Sequence, residues 1–398
     1  MIKRSTYSIL LFIFIANFFY EENHLFLYKR IIYSIFIYLA TYQIFVFNLN
    51  SLQNKGFVRM PSFYSIFIVL YLFFILVNIF TDLTNPALNI VTLINNPQAM
   101  LSAVPVFIFS VSANNEDLSK VYNLFKAVCI IFLLTWIIPI PGRIPFYQGF
   151  IASHAIIPFF IISLIEKRRL PMAIALVGLV AVFSVFSDYR IVLLKVLVFF
   201  SFFFSLKFFK SNWFIKLIII LIGCSFIYFM LNNLADLLDF FKDFIGKKDF
   251  DSNDTRSFLY QELFEDLKKS ELFLGRGFLG TYFSPYFLML IEQSIDDGDF
   301  YQRFGVEVGF LQLVLKGGLA YYFLYTLPLW YVAIKSIFWH PDLKIAFYFG
   351  IYILTELLLM FFENIPYFSF QFSILFFLAG YAYRMIYLEK LVKSYVLK

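Results

Sequence analysis

The sequence is poor in charged residues, and that shortage excludes most soluble protein classes. Only 15% of the 398 residues are charged, whereas 61% are hydrophobic and 22% are aromatic. A soluble domain has about 25% charged and about 45–50% apolar residues, so the composition argues against soluble dinucleotide enzymes, cytosolic kinases and nucleic-acid binders. The mean hydropathy of +0.80 is typical of a polytopic membrane protein.

Cysteine and histidine are also scarce. Cys129 and Cys224 both lie within apolar runs, which indicates buried side chains rather than a disulfide framework or a metal site. There are only three histidines and none falls between residues 155 and 339, so the sequence disfavours imidazole-based acid–base chemistry and zinc binding. The sequence contains no phosphate-binding loop or kinase signature. We therefore predict neither a metal nor a cofactor.

Long apolar runs dominate what is present, and they predict an all-α polytopic membrane protein. A spanning helix needs about 20 apolar residues, and runs between charged or turn-forming breaks predict about 12 transmembrane helices. The predicted spans are 5–20, 31–48, 63–80, 97–113, 121–138, 146–165, 170–187, 189–209, 213–235, 305–334, 344–362 and 366–387. The first is short, and the fourth opens with Pro97 and contains Pro105.

The positions of lysine and arginine predict the orientation of these spans. With a cytoplasmic N terminus, the short outer loops hold only Lys29, Arg30, Arg143 and Arg190, and the inner segments hold most other basic residues. The positive-inside rule favours this arrangement, and an even number of spans also puts the C terminus in the cytoplasm. The predicted organisation is a single membrane domain with helices 1–9 over residues 1–235, an outer-face loop over 236–304, and helices 10–12 over 305–398.

The outer-face loop is the one long polar segment, so it is the first place to look for chemistry. Asn253 or Asp254 can cap a helix over residues 257–267. Apolar residues repeat there at helical spacing: Phe258, Leu259, Leu263, Phe264 and Leu267. Two placements are open for such an amphipathic helix. It lies on the membrane surface or covers a cavity, or it packs against other residues of the loop itself.

A glycine-rich segment follows this helix. Gly275–Gly280 has the letters of the dinucleotide fingerprint, but that fingerprint requires a strand and a helix of a βαβ unit, which this loop has no room to form. Two interpretations remain open. The glycines form a tight turn, or their backbone N–H groups make a concavity that holds an anion beside Arg276.

Acidic residues cluster at the end of the loop. Asp296, Asp297 and Asp299 are followed by Arg303 and Glu307, where the tenth span begins. Three roles are open for this cluster: a solvated acidic turn, a divalent metal site, or a carboxylate that acts as general base beside an arginine.

Few ionisable residues fall inside the predicted spans, where charge is costly and usually functional. Lys195 lies a little over one turn deeper than Arg190, Glu356 lies in span eleven, and His154 lies in span six. Lys316 lies in span ten beside two glycines. The structural interpretation is that Lys195 neutralises Glu356, that His154 is a hydrogen-bonded core residue, and that Lys316 pairs within the bundle.

Several short motifs between residues 187 and 320 together resemble a known family. They are Ser187-Asp188-Tyr189-Arg190, Arg256 before the amphipathic helix, Leu274–Phe278, Glu307–Gln312 and Lys316–Leu319. With about 12 spans and a large outer loop between spans nine and ten, the chain resembles the bacterial O-antigen polymerase and O-antigen ligase superfamily.

This resemblance implies a metal-independent membrane glycosyltransferase in the bacterial inner (plasma) membrane. Such an enzyme transfers an undecaprenyl-diphosphate-linked oligosaccharide to another lipid-linked repeat on the outer face, and so makes O-antigen, capsule or exopolysaccharide. The ligases carry a histidine in the outer loop and this chain has none there, which favours the polymerase. The implied partners are the lipid-linked glycan, the lipid bilayer, a flippase and a chain-length regulator, with no nucleic acid.

The resemblance also implies roles for individual residues. Arg190 is expected to stabilise the charge that develops on the departing diphosphate, and Asp299 or Glu307 is expected to accept the proton of the acceptor hydroxyl. Four further residues are expected to help bind the diphosphate: Lys195, Arg256, Arg276 and Arg303.

Two alternative functions remain. An O-antigen ligase would use lipid A core as its acceptor instead of another lipid-linked repeat. A polysaccharide flippase or other transporter also has many spans and intramembrane charges, but the sequence has no internal repeat and one outer loop is far larger than the rest.

Overall fold

The computed structural model describes twelve stretches of the chain. They are residues 6–19, 27–53, 62–80, 101–113, 118–137, 154–166, 170–186, 190–208, 212–232, 257–285, 302–362 and 368–396. Within them the chain is mostly helical, which confirms the predicted all-α class.

The first nine helices fall where the apolar runs predict helices. They are α1 (Thr6–Phe18), α2 (Leu27–Gln53), α3 (Ser62–Phe80), α4 (Ile108–Ala113), α5 (Leu118–Ile137), α6 (Ile156–Glu166), α7 (Leu170–Phe186), α8 (Arg190–Phe208) and α9 (Trp213–Asn232). Pro105 lies in a short 3-10 helix, Val104–Phe107, that leads into α4. Proline is tolerated there because the first turn of a helix lacks internal N–H bonds in any case.

The remaining elements are five helices and one small hairpin. They are α10 (Ser257–Asp266), α11 (Lys269–Leu274), β1 (Tyr282–Phe283), β2 (Gln302–Arg303), α12 (Gly309–Ile334), α13 (Lys344–Leu359) and α14 (Phe370–Val396). The strands pair antiparallel, with Tyr282 opposite Arg303. A π-helical turn, Lys335–Trp339, continues α12.

Two helices of the described stretches are long and apolar enough to cross a bilayer, by length and composition only. They are Tyr28–Asn48 and Gly309–Trp339. Six further apolar helices are shorter: Thr6–Phe18, Ile66–Ile79, Val104–Ala113, Ile156–Ile165, Leu170–Val182 and Trp213–Gly223. Helix length alone therefore does not establish the predicted 12 spans.

The core of the helix bundle lies around α14. Gly380 of α14 faces α4 so closely that a Cβ at this position would collide with Ser112 and the Phe109 carbonyl. The side chain of Asn17 in α1 caps the start of α14, because its Oδ1 accepts from Phe370 N–H at 2.9 Å and its Nδ2 donates to the Phe368 carbonyl at 3.2 Å. These contacts bring helices from both ends of the sequence together.

A second, smaller core joins the predicted outer loop to the start of predicted span ten. We call residues 257–285 and 302–316 the outer unit, and its apolar core is Leu259, Leu263, Leu267, Tyr282, Val306, Val308, Leu311, Val314 and Leu315. The amphipathic helix predicted over 257–267 is thus confirmed as α10, and it packs on Tyr282 of the loop and on residues of predicted span ten. Phe264, predicted on the same apolar face, is 41% exposed.

The outer unit sits on the end of α13. Tyr260 of α10 donates to the Phe361 carbonyl at 2.6 Å, and Phe310 N–H donates to the Met360 carbonyl at 2.9 Å. Burial raises the pKa of the Tyr260 hydroxyl, and Tyr322 raises it further. The hydroxyl therefore stays a hydrogen-bond donor across the neutral pH range.

A break divides α12 between the outer unit and the bundle. Gly317 has φ −145° and ψ 15°, and Gly318 has φ 67°, a left-handed value that favours glycine. Leu315, before the break, belongs to the core of the outer unit, whereas Tyr321, after it, belongs to the core of the bundle. The span predicted over 305–334 is thus present as the candidate span Gly309–Trp339, and its backbone is interrupted at Gly317 and Gly318.

Close packing explains why the break needs glycines. A Cβ at Gly318 would collide with the carbonyl of Phe273 in α11, and a Cβ at Gly275 would collide with the backbone of Gly317. The backbone N–H of Arg276 also donates to the Leu315 carbonyl at 2.8 Å. The glycine-rich segment and the break in α12 thus fit against each other.

Candidate functional site

The hairpin of the outer unit places a charged pair beside the start of α12. Arg303 Nη2 donates to Glu307 Oε1 at 3.0 Å, and Arg303 Nη1 donates to the Tyr282 hydroxyl at 3.4 Å. The Glu307 side chain is 42% exposed, while Arg303 is 16% exposed. We call Arg303 and Glu307 the rim pair. Its carboxylate is open to a reactant and its guanidinium is mostly covered.

Two hydrogen bonds of the outer unit hold the segments that carry Glu307 and Tyr282. Gln312 Oε1 accepts from Val306 N–H at 2.7 Å, directly before Glu307. Ser284 donates to Glu262 at 2.6 Å, directly after β1. Burial raises the pKa of the Tyr282 hydroxyl, and Arg303 partly opposes this. Tyr282 therefore stays neutral beside the ion pair of Arg303 and Glu307.

Arg276 is fully engaged within the outer unit. Its Nε donates to Glu271 at 3.1 Å, its Nη1 to Asp266 Oδ2 at 2.5 Å and to the Thr281 carbonyl at 2.8 Å, and its Nη2 to the Asp266 carbonyl at 2.6 Å and to Glu271 at 3.0 Å. A guanidinium has five N–H donors, and all of them are used. These contacts cross-link the outer unit, and they do not support the prediction that Arg276 binds the diphosphate.

The glycine-rich segment around Arg276 is a tight turn. Gly275 and Gly277 have φ of 72° and 82°, and Gly280 N–H donates to the Gly277 carbonyl at 3.0 Å. Of the two interpretations left open by the sequence, the geometry favours the turn, because the guanidinium beside it already contacts carboxylates.

Glu271 takes part in this cross-link and also caps α11. Its carboxylate accepts from Lys268 N–H at 2.9 Å. Burial raises the pKa of Glu271, but the hydrogen bonds from Lys268 N–H and Arg276 together lower it below the ordinary value. The ionised form is thus the one that stabilises the folded outer unit.

A second group of charged and polar side chains lies within the bundle. We call His154, Lys195, Glu356 and Gln371 the buried cluster. Lys195 Nζ lies 3.0 Å from Glu356 Oε2 and 2.8 Å from His154 Nδ1, and Gln371 Nε2 donates to Glu356 Oε2 at 2.8 Å. Lys195 is 1% exposed and Glu356 is 0% exposed.

This arrangement confirms that Lys195 neutralises Glu356 and that His154 is hydrogen-bonded in the core. It does not support the prediction that Lys195 binds the diphosphate, because the ammonium is enclosed and already paired. Two oppositely charged groups in hydrogen-bond contact leave the buried cluster with little net charge to attract a ligand.

The other predicted site residues are described only in part. Arg190 is the first residue of α8, as predicted, but its side chain lies outside the described residues. Arg256 and Asp299 also lie outside them. Of the predicted residues, the structure brings Arg303 and Glu307 together, and it assigns Lys195 and Arg276 to structural contacts elsewhere. Within the described stretches, no group of three or more His, Cys, Asp or Glu side chains could hold a metal ion.

Two features of the site were not predicted from the sequence. The contact of Tyr282 with Arg303 depends on the register of a two-residue hairpin, and a strand that short has no detectable alternation. The break at Gly317–Gly318 had a visible signal in the paired glycines, but the continuous apolar run around them concealed it.

The chain was compared with protein-family models, with curated proteins and with solved structures. No family model, curated protein or solved structure matches it.

Proposed function

We propose that this chain is a polysaccharide polymerase of the bacterial inner membrane. It would transfer an undecaprenyl-diphosphate-linked glycan to the end of another lipid-linked repeat on the outer face, as a metal-independent glycosyltransferase. The observation that carries this proposal is the rim pair, an accessible carboxylate that an arginine holds directly before α12 in the outer unit. The motif resemblance between residues 187 and 320 supplies the class of substrate.

The surface of the bundle supports a membrane location. One face of α3 exposes Ile66, Val69, Leu70, Phe73, Leu76 and Val77, while Tyr71 on the opposite face is buried. Each large apolar side chain gains roughly 1.5–3 kcal/mol by leaving water, and contiguous exposed patches of this kind mark contact with lipid or protein.

Helix α9 has the same character. Trp213, Phe214, Leu217, Ile218, Leu221 and Ile222 are all exposed, whereas the charges of Lys195 and Glu356 are enclosed. A bundle with apolar residues outside and ion pairs inside suits a lipid solvent. We therefore extend the proposal to the 12 predicted spans with both termini cytoplasmic.

The proposed chemistry assigns a proton acceptor to the rim pair. The acceptor sugar hydroxyl attacks the anomeric carbon of the donor and forms the new glycosidic bond, and Glu307 takes the hydroxyl proton. The bond from the anomeric carbon to the diphosphate oxygen breaks, and the diphosphate leaves with the electron pair. Arg303 orients the Glu307 carboxylate, and Arg190 stabilises the leaving diphosphate.

Glycan profiling tests this proposal. A strain that lacks the gene is complemented with the wild type, with Glu307→Gln or with Arg190→Ala, at matched levels of inserted protein. Loss of the polymer ladder with one repeat still attached to lipid A core indicates a polymerase, and neither variant should restore the ladder. Glu265→Gln is the matched control, because Glu265 is exposed on α10 and only accepts from Gln261.

Other glycan profiles would identify the alternatives. Full-length polymer that accumulates on undecaprenyl diphosphate, with no repeat on lipid A core, indicates a ligase. Single repeats held on the carrier at the cytoplasmic side indicate a flippase. A full ladder with both Glu307→Gln and Arg190→Ala would contradict the roles proposed for these residues.

A further inference from the structure

Lys316 is the last residue before the break in α12, and it is almost completely enclosed. It is 4% exposed. Its Nζ donates to the Gly280 carbonyl at 2.7 Å and lies 3.4 Å from the centroid of the Phe304 ring. The ammonium thus lies between the glycine-rich turn, the hairpin and the membrane helix.

Three lysines are enclosed in the described part of the chain, Lys195, Lys216 and Lys316, and the environment of Lys316 differs from that of Lys195. Among the side chains that the structure describes, no carboxylate lies within ion-pair distance of Lys316, whereas Lys195 is paired with Glu356. A carbonyl dipole and an aromatic face compensate a cation only in part. A buried ammonium without a counterion is costly, so an anion that reaches Lys316 would stabilise its charged form.

Lys316 lies directly before the break in α12. Irregular backbone at membrane depth is tolerated where protein or a watery cavity surrounds it, and interrupted membrane helices commonly form binding sites for charged substrates. Phe304, whose ring contacts Lys316, directly follows Arg303 of the rim pair. An anion at Lys316 would therefore lie next to the segment that carries the rim pair.

We propose that Lys316 is a phosphate-binding residue that the Phe304 ring covers in the unliganded protein. The ring moves aside when the diphosphate of the donor enters, and the ammonium exchanges the Gly280 carbonyl for phosphate oxygens. This inference rests on the proposed function, since it names a further contact for the same substrate. In this part of the outer unit, the proposed ligand of the diphosphate is therefore Lys316 and not Arg276.

Pyrophosphate binding to the purified full chain in lipid nanodiscs tests the inference. Inorganic pyrophosphate should raise the Tm of the wild type in a saturable manner. Lys316→Met should weaken pyrophosphate binding by about tenfold or more, since a charge-assisted contact is lost. Phe304→Leu should strengthen binding, because the smaller side chain covers the ammonium less. Lys335→Met is the matched control, since Lys335 lies at the other end of the same helix and contacts Tyr331.

The outcomes separate anion binding from a structural role. If Lys316 only cross-links the outer unit, Lys316→Met lowers the Tm by the same amount with and without pyrophosphate, and Phe304→Leu leaves the affinity unchanged. That pattern, or a wild type that binds no pyrophosphate, overturns the inference. If Lys316→Met does not fold, the affinity of Phe304→Leu decides. Undecaprenyl phosphate is tested in parallel, and tighter binding than pyrophosphate would identify the lipid-linked source.

Failure of this inference is distinguishable from failure of the proposed function. A polymerase-type glycan profile together with no pyrophosphate binding would overturn only the role of Lys316. Pyrophosphate binding that depends on Lys316, together with a flippase-type profile, would keep the site and overturn the polymerase.

Discussion

The buried cluster and the rim pair each contain an ion pair with an N–O distance of 3.0 Å, yet the two pairs have different surroundings. Lys195 and Glu356 are enclosed on all sides, and neighbouring His154 and Gln371 add hydrogen bonds to them. Glu307 has a single described partner, Arg303, and its side chain is 42% exposed. An enclosed pair holds helices together, whereas an exposed carboxylate can exchange a proton with a substrate.

This difference shows that a charge buried within the helix bundle is not by itself evidence of a catalytic role. The buried cluster joins the segment before α6 to α8, α13 and α14. Its ion pair and hydrogen bonds therefore hold these helices together. The rim pair belongs to a two-residue strand and the start of α12, which leaves one side open. The comparison predicts that mutations in the two regions separate stability from activity.

The largest effect is expected from breaking the buried cluster on one side. Lys195→Met leaves Glu356 buried without its cation, which should cost about 3–5 kcal/mol of unfolding free energy. The double variant Lys195→Met/Glu356→Leu should recover most of that loss, because no charge remains to be solvated. Thermal unfolding in detergent, followed by tryptophan fluorescence, measures both. Equal destabilisation in the single and double variants would show that the ion pair is not the cause.

A smaller and more local effect is expected from Arg276. Arg276→Ala removes the five donors that hold Asp266, Glu271 and Thr281 together. A hydrogen bond to a charged group is worth about 1.5–3 kcal/mol, so amide exchange in residues 257–285 should accelerate by at least roughly tenfold. Exchange in α13 should not change. Arg276→Lys should rescue little, because an ammonium cannot reproduce the planar fork.

The smallest effect is a pH dependence of the outer unit. The pKa of Glu271 is lower in the folded protein than its ordinary value, so its contribution to stability is complete above about pH 4.3, the ordinary value. That contribution is lost as the pH falls through the lower, folded-state value. Amide exchange of α11 should therefore accelerate in acid, and Glu271→Gln should reduce the acceleration. An unchanged acid response in Glu271→Gln would assign the effect to another carboxylate.

Local patterns in the sequence predicted much of the fold. Apolar runs placed the helices, and helical spacing of Leu259, Leu263 and Leu267 placed α10 with its buried face correctly. The neutralisation of Lys195 by Glu356 was predictable, because unpaired charges are rarely tolerated within a bundle. These features depend on periodicity or on a simple charge balance.

Features that depend on backbone acceptors were not predicted. Arg276 uses the carbonyls of Asp266 and Thr281, and Lys316 uses the carbonyl of Gly280. Every residue has a carbonyl, so the sequence does not distinguish the one that accepts. For this reason Arg276 was predicted as a free cation for phosphate, and the structure places it in closed contacts.

We propose that the rim pair serves chemistry and that the buried cluster serves stability. One experiment tests both roles, a comparison of the glycan ladders restored by Glu307→Gln and by Lys195→Met/Glu356→Leu at equal amounts of inserted protein. We expect a full ladder with the double variant and single-repeat glycan with Glu307→Gln. A full ladder with Glu307→Gln, together with loss of polymer in the stably inserted double variant, would contradict this proposal.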